Sequence, residues 1–205
     1  TMSEPAAFEL PAASFGPAGP LVSRIGLGGE GILRTFGEEA GATAVIATAV
    51  TLGLTYFDTA PAYAGSESYL GSVWRERPGE RARVFQTSKS ARRDYAGARE
   101  DLASSLARLG TDFLDILYLH RDYHEENLEE ALWALGDLIR VGKLRSFGLS
   151  NFRGWRIAET LRLCEKLGVP QPVVCQPYYN MLNRGPEVEI LPACQHYGLG
   201  VVPYS

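Results

Sequence analysis

The chain has 205 residues, 45% of them hydrophobic, and a formal charge of −4. This is enough apolar material to bury one full core, and the acidic balance argues against nucleic-acid binding, which calls for a basic patch or stripe. The apolar runs are too short to cross a bilayer, and residues 1–20 lack the basic and apolar regions of a signal peptide; Cys164, Cys175 and Cys194 stand at no metal-binding spacing and read as buried reduced thiols in a cytoplasmic protein.

Residues 1–20 read as an N-terminal tail or hairpin, and residues 21–205 as one domain. From residue 21 a pattern repeats: a short β-branched or aromatic run ending in polar residues, then an amphipathic helix, then a glycine. The first run, "SRIGLGG", leads into "GLGGEG" at residues 26–31, which matches G-x-G-x-x-G letter for letter. A dinucleotide fingerprint must open a helix at once, so that the helix N-terminus meets the pyrophosphate. Here "ILRTFG" intervenes and the helix begins only near Glu38 or Glu39. Asp58 also lies too far along to be the ribose-binding acid. The glycines are read instead as a loop that passes close to a ligand or folds back over the mouth of a barrel.

That helix stops at Gly53, and "TYFDTA" follows, ending its strand at Asp58. "RVFQTSKS" carries Lys89. A helix then runs from Asp94 to Gly110, and "FLDILYLH" ends at His120. In "NLEEALWALGDLIRVG", Leu128, Leu132, Leu135, Leu138 and Ile139 form one apolar stripe, with Asn127 as N-cap and Gly142 as stop. "LRSFGLSN" precedes a helix that stops at Gly168, and "PVVCQPYYN" precedes one that stops at Gly198. "GVVPYS" is the last run. Seven strands alternating with helices imply a parallel α/β sheet. Polar residues at the carboxyl ends of at least six strands favour a (β/α)8 barrel, which draws its site from many strand ends, over an open doubly wound sheet, which concentrates it at one switch point. A parallel barrel closes when its last strand pairs with its first. With seven strands in view, the expectation is a barrel incomplete at its C-terminal side and belonging to a longer product.

Four polar groups stand at or just past three consecutive strand ends: Asp58, Tyr63, Lys89 and His120. Singly, each has an ordinary explanation: a turn aspartate, a surface tyrosine, a solvated lysine, a core histidine. Jointly they make an acid catalyst. A free phenol is too weak an acid near neutral pH. An ammonium beside it stabilises the phenolate, a carboxylate holds the ammonium, and an imidazole donates to or relays a proton toward the phenol and a substrate oxygen. The chemistry this fits is protonation of a carbonyl oxygen while hydride arrives at its carbon. His124 stands four residues after His120, but within the loop-like "HRDYHEEN", and no metal site is expected there.

In order along the chain, "FDTAPAYAGSESYLG", "TSK", "LYLHR", "GLSNF", "QPYYN" and "VVPYS" resemble the aldo-keto reductase family, over residues 26–205. The resemblance implies a (β/α)8 barrel that reduces aldehydes or ketones with NADPH, NADH being possible. It implies that Tyr63 is the proton donor, that Lys89 and Asp58 tune it, and that His120 orients the carbonyl. Ser150, Asn151 and Gln176 match the residues that hold the nicotinamide carboxamide, Tyr204 the aromatic that stacks on the ring, and Ser205 the start of the pyrophosphate-binding segment. The expected partner is a small-molecule carbonyl compound, taken by a monomer or weak homo-oligomer. An alternative is a cofactor-binding regulatory subunit on the same scaffold, resembling the potassium-channel β subunits. The sequence departs from the pattern in placing Ala64 between Tyr63 and Gly65. An eighth strand and the basic segment for the adenosine 2′-phosphate are implied beyond Ser205.

Overall fold

The computed structural model describes residues 10–16, 20–123 and 127–205; His124 and most of residues 1–20 lie outside the described residues. Strands β1 (Ala12–Ser14) and β2 (Leu21–Ser23) form an antiparallel hairpin. Strand and helix then alternate: β3 (Leu27–Gly28), α1 (Glu39–Thr51), β4 (Tyr56–Asp58), α2 (Ser66–Glu76), the single turn α3 (Pro78–Arg81), β5 (Phe85–Ser90), α4 (Tyr95–Leu109), β6 (Leu114–Leu119), α5 (Glu129–Arg140), β7 (Leu144–Ser150), α6 (Gly154–Leu167), β8 (Val174–Gln176), α7 (Ile190–Tyr197) and β9 (Gly200–Val201). The hairpin runs to Ser23, three residues past the boundary read from the sequence. Ser23 and Thr55 exchange backbone-to-hydroxyl hydrogen bonds of 2.8 and 2.9 Å, which tie it to the entry of β4.

Strands β3 to β9 lie side by side in chain order, each parallel to the next. A doubly wound sheet reverses its order once; this sheet never does. It is the curled wall of a (β/α)8 barrel. Among the described residues β3 and β9 do not pair with each other. A cleft of about 430 Å³ lies between them, with Tyr56 and Gln176 in its wall.

Period-two alternation sorts the side chains. Phe57, Leu117, Leu119, Phe147, Leu149 and Cys175 face outward and pack with the helices in one large core. Tyr56, Ile116, Tyr118 and Val174 face inward, where Phe15 and Val22 of the hairpin join them. The Phe15 ring lies 4.8 Å from Phe85 and 5.8 Å from Tyr56, so the hairpin plugs the amino end of the barrel. The fully buried hydroxyls of Tyr56 and Tyr118 satisfy each other at 2.9 Å. Gly148 makes room for the Tyr118 ring: a Cβ there would sit 2.6 Å from Tyr118 Cε1 and 2.5 Å from Val174 Cγ1.

The helix boundaries follow their caps. Asp94 caps α4, accepting from the Gly97 N–H at 2.7 Å; α5 begins one residue later than the sequence suggests, with Leu128 at its N-cap, and Asn127, one residue before it, accepts from the Glu129 N–H at 2.8 Å. Gly110, Gly168 and Gly198 end α4, α6 and α7 in the left-handed conformation. Cys164, Cys175 and Cys194 are buried and unbridged. Among the described residues no helix is long and apolar enough to cross a membrane.

Candidate active site

The same alternation that puts Tyr56 inside puts Asp58 inside one pleat higher, at the carboxyl end of β4. Thr87 and Lys89 share the inner face of β5, and His120 follows the end of β6, its N–H donating to the Ser90 carbonyl at 2.9 Å. Lys89 is 1% exposed. Its Nζ donates to Asp58 Oδ2 in a short ion pair and to the Thr59 carbonyl at 3.1 Å. The other carboxylate oxygen, Asp58 Oδ1, accepts from Thr87 Oγ1 at 2.8 Å and from Gln176 Nε2 at 3.2 Å. Tyr63 is buried, with its hydroxyl 3.4 Å from His120 Nε2 and its ring edge-on to the imidazole at 5.8 Å. Lys89 Nζ stands 4.9 Å from the centre of the Tyr63 ring. The four residues expected to meet do meet.

A tight loop delivers Tyr63. Its N–H donates to the Ala60 carbonyl at 3.0 Å, and its carbonyl accepts from the Ser66 N–H at 2.9 Å. Ala64 has φ +46°, a left-handed conformation that costs a residue with a Cβ about 1–2 kcal/mol. Gly65 donates to the Thr35 carbonyl at 2.8 Å, and a Cβ on it would sit 2.7 Å from that oxygen. In "GLGGEG" no helix starts, and Gly26 and Gly29 serve close approach, while a Cβ on Gly28 or Gly31 would meet open space. A Cβ on Gly26 would meet Tyr56 Cδ1 at 2.5 Å, and one on Gly29 would meet Ser66 Oγ at 2.3 Å.

The opposite wall comes from β7, β8 and the residues after β9. Ser150 Oγ donates to the Gln176 carbonyl at 3.0 Å. Asn151 takes the left-handed conformation, φ +60°. Its Nδ2 donates to the His120 carbonyl at 3.1 Å, and its Oδ1 accepts from the Tyr204 hydroxyl at 2.7 Å. Asp58, Tyr63, His120, Ser150, Asn151, Gln176, Tyr204 and Ser205 line one cleft of about 400 Å³. Glu30, Arg34 and Arg121 stand in the same cleft, Glu30 and Arg34 as an ion pair. Sequence reasoning missed these three and Thr87. Thr87 was detectable: two residues before Lys89 on one strand, it must share the face of Lys89.

Residues 24–205 match the model of the aldo/keto reductase family. This chain belongs to the aldo-keto reductase family. It is 34% identical over 196 residues to an aflatoxin B1 aldehyde reductase member 2 of Homo sapiens, covering 92% of this chain and 54% of that protein. It is 35% identical over 154 residues to aldo-keto reductase family 7 member A3 of Homo sapiens, covering 72% of this chain and 46% of that protein. An aldo-keto reductase of Pseudocercospora fijiensis is 30% identical over 155 residues, covering 72% and 52%. The chain spans about half the length of these relatives.

Within this aldo-keto reductase site two groups depart from their ordinary acidity. Burial, reinforced by the charges of Lys89 and Arg121, lowers the His120 pKa from 6.5 to about 4, so the imidazole is neutral at physiological pH. Burial and then the Asp58 carboxylate push the Tyr63 phenol up, opposite to the direction expected from a neighbouring ammonium. The reason is geometric. Lys89 is committed to Asp58 and Thr59, and its ammonium lies near the ring of Tyr63 without a hydrogen bond to the hydroxyl. Among the described residues no group of three or more His, Cys, Asp or Glu side chains could hold a metal ion.

Proposed function

We propose that this protein reduces the carbonyl group of a small aldehyde or ketone to an alcohol, with hydride from NADPH and a proton from Tyr63. The observation that carries the reading is the buried Tyr63 hydroxyl, held against a neutral imidazole and above an enclosed Lys89–Asp58 ion pair, at the edge of a cleft. The residues of the opposite wall suit a nicotinamide. Ser150, Asn151 and Gln176 provide the hydroxyl and amide groups that a carboxamide needs, and the Tyr204 ring, 36% exposed, offers a flat apolar face. Bound there, the nicotinamide supplies the hydride. NADPH is preferred over NADH on the family resemblance.

The protein's own residues do the proton work. Tyr63 is protonated at neutral pH, as an ordinary phenol is, and burial and Asp58 disfavour its phenolate further, so it holds a proton to donate. Its hydroxyl and the His120 imidazole aim at the same part of the cleft, where the substrate oxygen would sit. As the carbonyl carbon becomes tetrahedral, its oxygen becomes an alkoxide with a basicity near that of hydroxide. That base takes a proton even from a weakened phenol. The Lys89 ammonium then faces the phenolate, and Asp58 keeps it there. The neutral His120 can accept or donate without adding a positive charge that would compete for the alkoxide. The word "aldehyde" in the names of the relatives supports an aldehyde as substrate.

The test is product stoichiometry. The full-length protein, given NADPH and an aryl aldehyde, should form one alcohol for each NADPH consumed. Tight NADPH binding with no alcohol formed from any of a panel of aldehydes and ketones would overturn the reading and favour a cofactor-binding regulatory role.

A further inference from the structure

Asp58 makes the Lys89 ammonium a fixed charge, and something must in turn fix Asp58. The carboxylate ends a strand of three residues and is partly exposed to the cleft, so the chain alone does not set its rotation. Lys89 engages one oxygen, Oδ2. The other oxygen, Oδ1, is held at 2.8 Å by the Thr87 hydroxyl and at 3.2 Å by the Gln176 amide. These two donors differ in kind. Gln176 lies on the cofactor wall, four strands away across the barrel, and its side chain lines the cleft. Thr87 is fully buried, on the strand that carries Lys89. As a β-branched residue it has little χ1 freedom in a strand. Its hydroxyl also stands beside the Tyr56 hydroxyl and, at the long distance of 3.5 Å, the Phe57 carbonyl.

We propose that Thr87 is a positioning residue of the active site: its hydroxyl locks the Asp58 carboxylate so that Lys89 points at the ring of Tyr63. The inference rests on the reading of Tyr63 as proton donor. Its physical content is a charge-assisted hydrogen bond in a closed site, the kind whose loss is felt most. Without the hydroxyl, Asp58 keeps one full negative charge and loses its shortest neutral donor. The carboxylate is then free to turn, the Lys89 ammonium moves with it, and the repulsion between Asp58 and a Tyr63 phenolate grows. The charged and titratable groups facing Tyr63 are Asp58 from β4, Lys89 from β5, His120 after β6, Glu30 and Arg34 after β3, and Tyr204 after β9. Those facing Asp58 are Lys89, Tyr63, His120 and the buried phenols of Tyr56 and Tyr118. Thr87 touches none of the cleft and would not contact substrate or cofactor.

Thr87→Val removes the hydroxyl and keeps the shape; Thr87→Ser keeps the hydroxyl and loses a methyl. In the full-length protein, Thr87→Val should lower kcat for aldehyde reduction about tenfold or more, with the NADPH dissociation constant unchanged. In alcohol oxidation, which needs the phenolate, the pH at which kcat reaches half its plateau should move upward. Thr87→Ser should restore both. A purely structural role for the hydroxyl would lower thermal stability and leave the pH midpoint where it was. An active wild type whose Thr87→Val variant keeps the wild-type kcat and midpoint overturns the inference and spares the reading of Tyr63. A wild type with no turnover overturns the reading of Tyr63 instead. Fluorine NMR of 3-fluorotyrosine incorporated in place of Tyr63 then still tests the positioning. An upward shift of its titration midpoint in the Thr87→Val background supports the inference, and an unchanged midpoint defeats it.

Discussion

Replacing Lys89 by methionine removes one charge from the interior and keeps most of the side-chain volume. Lys89 Nζ lies 4.9 Å from the centre of the Tyr63 ring. Opposite unit charges about 5 Å apart attract by about 3 kcal/mol at an effective dielectric constant of about 20, which sets the scale for a phenolate charge shared between ring and oxygen. A phenolate that forms without this attraction forms about a hundredfold more slowly. The substitution has a second consequence. It leaves the Asp58 carboxylate, 14% exposed, without its counter-ion, and breaking such a pair on one side costs about 3–5 kcal/mol of stability. The two effects separate in the double variant. Lys89→Met with Asp58→Asn removes the orphaned charge, so its melting temperature should recover while kcat stays low. Steady-state reduction of an aryl aldehyde across pH, with thermal unfolding of the same samples, measures both. The loss in kcat should be greatest near neutral pH and should ease toward acid, where solvent protons replace the phenol. A Lys89→Met variant with wild-type kcat and pH profile, or a double variant that regains activity along with stability, would show that the Lys89 charge does not support the Tyr63 phenolate.

Ala64→Gly should raise stability by about 0.5–1 kcal/mol, since relief of the left-handed alanine outweighs the entropy glycine adds to the unfolded chain; chemical denaturation reads it. Gly148→Ala should destabilise by about 1–3 kcal/mol, because the new methyl meets Tyr118 and Val174 inside the barrel, and a Tyr118→Phe background, which leaves the ring in place, should not rescue it. His120 binds a proton less readily folded than unfolded, so its contribution to stability is complete above about pH 6.5 and is lost as pH falls toward 4. His120→Asn should therefore flatten the acid limb of a stability–pH curve in that window.

The placement of Asp58, Lys89 and His120 was legible because strand periodicity leaves no choice: a polar residue at the carboxyl end of an apolar strand, on the inner face, faces the mouth of the barrel. The stops at Gly110, Gly168 and Gly198 were legible for a similar local reason, the left-handed cap. The hairpin was not legible as a plug. Phe15 and Val22 are ordinary apolar residues in a Gly- and Pro-rich stretch, and only the barrel's inner aromatics, Tyr56 and Phe85, give them a place. The acidity of Tyr63 was read in the wrong direction. An ammonium nearby lowers a phenol's pKa, but the sequence does not tell how deeply the phenol is buried or that the ammonium is committed to Asp58. Gln176 was matched to the cofactor, and the structure adds a bond to Asp58 from across the sheet that no local pattern encodes. The glycine run was legible as a loop and not a dinucleotide fingerprint, since the helix after it begins only at Glu39. Gly26 and Gly29 are there because Tyr56 and Ser66 leave no room for a Cβ.

If the Tyr63 hydroxyl delivers the proton, Tyr63→Phe must stop catalysis without disturbing the site. The ring remains, with its contacts to His120 and Lys89, and only the oxygen is lost. Titrating the full-length variant with NADPH by fluorescence quenching, and measuring kcat on an aryl aldehyde in the same preparation, separates binding from chemistry. The variant should bind NADPH with wild-type affinity while kcat falls at least about a hundredfold, the usual scale for removing a general acid. A variant that binds NADPH normally and turns over at the wild-type rate would rule out Tyr63 as the proton donor.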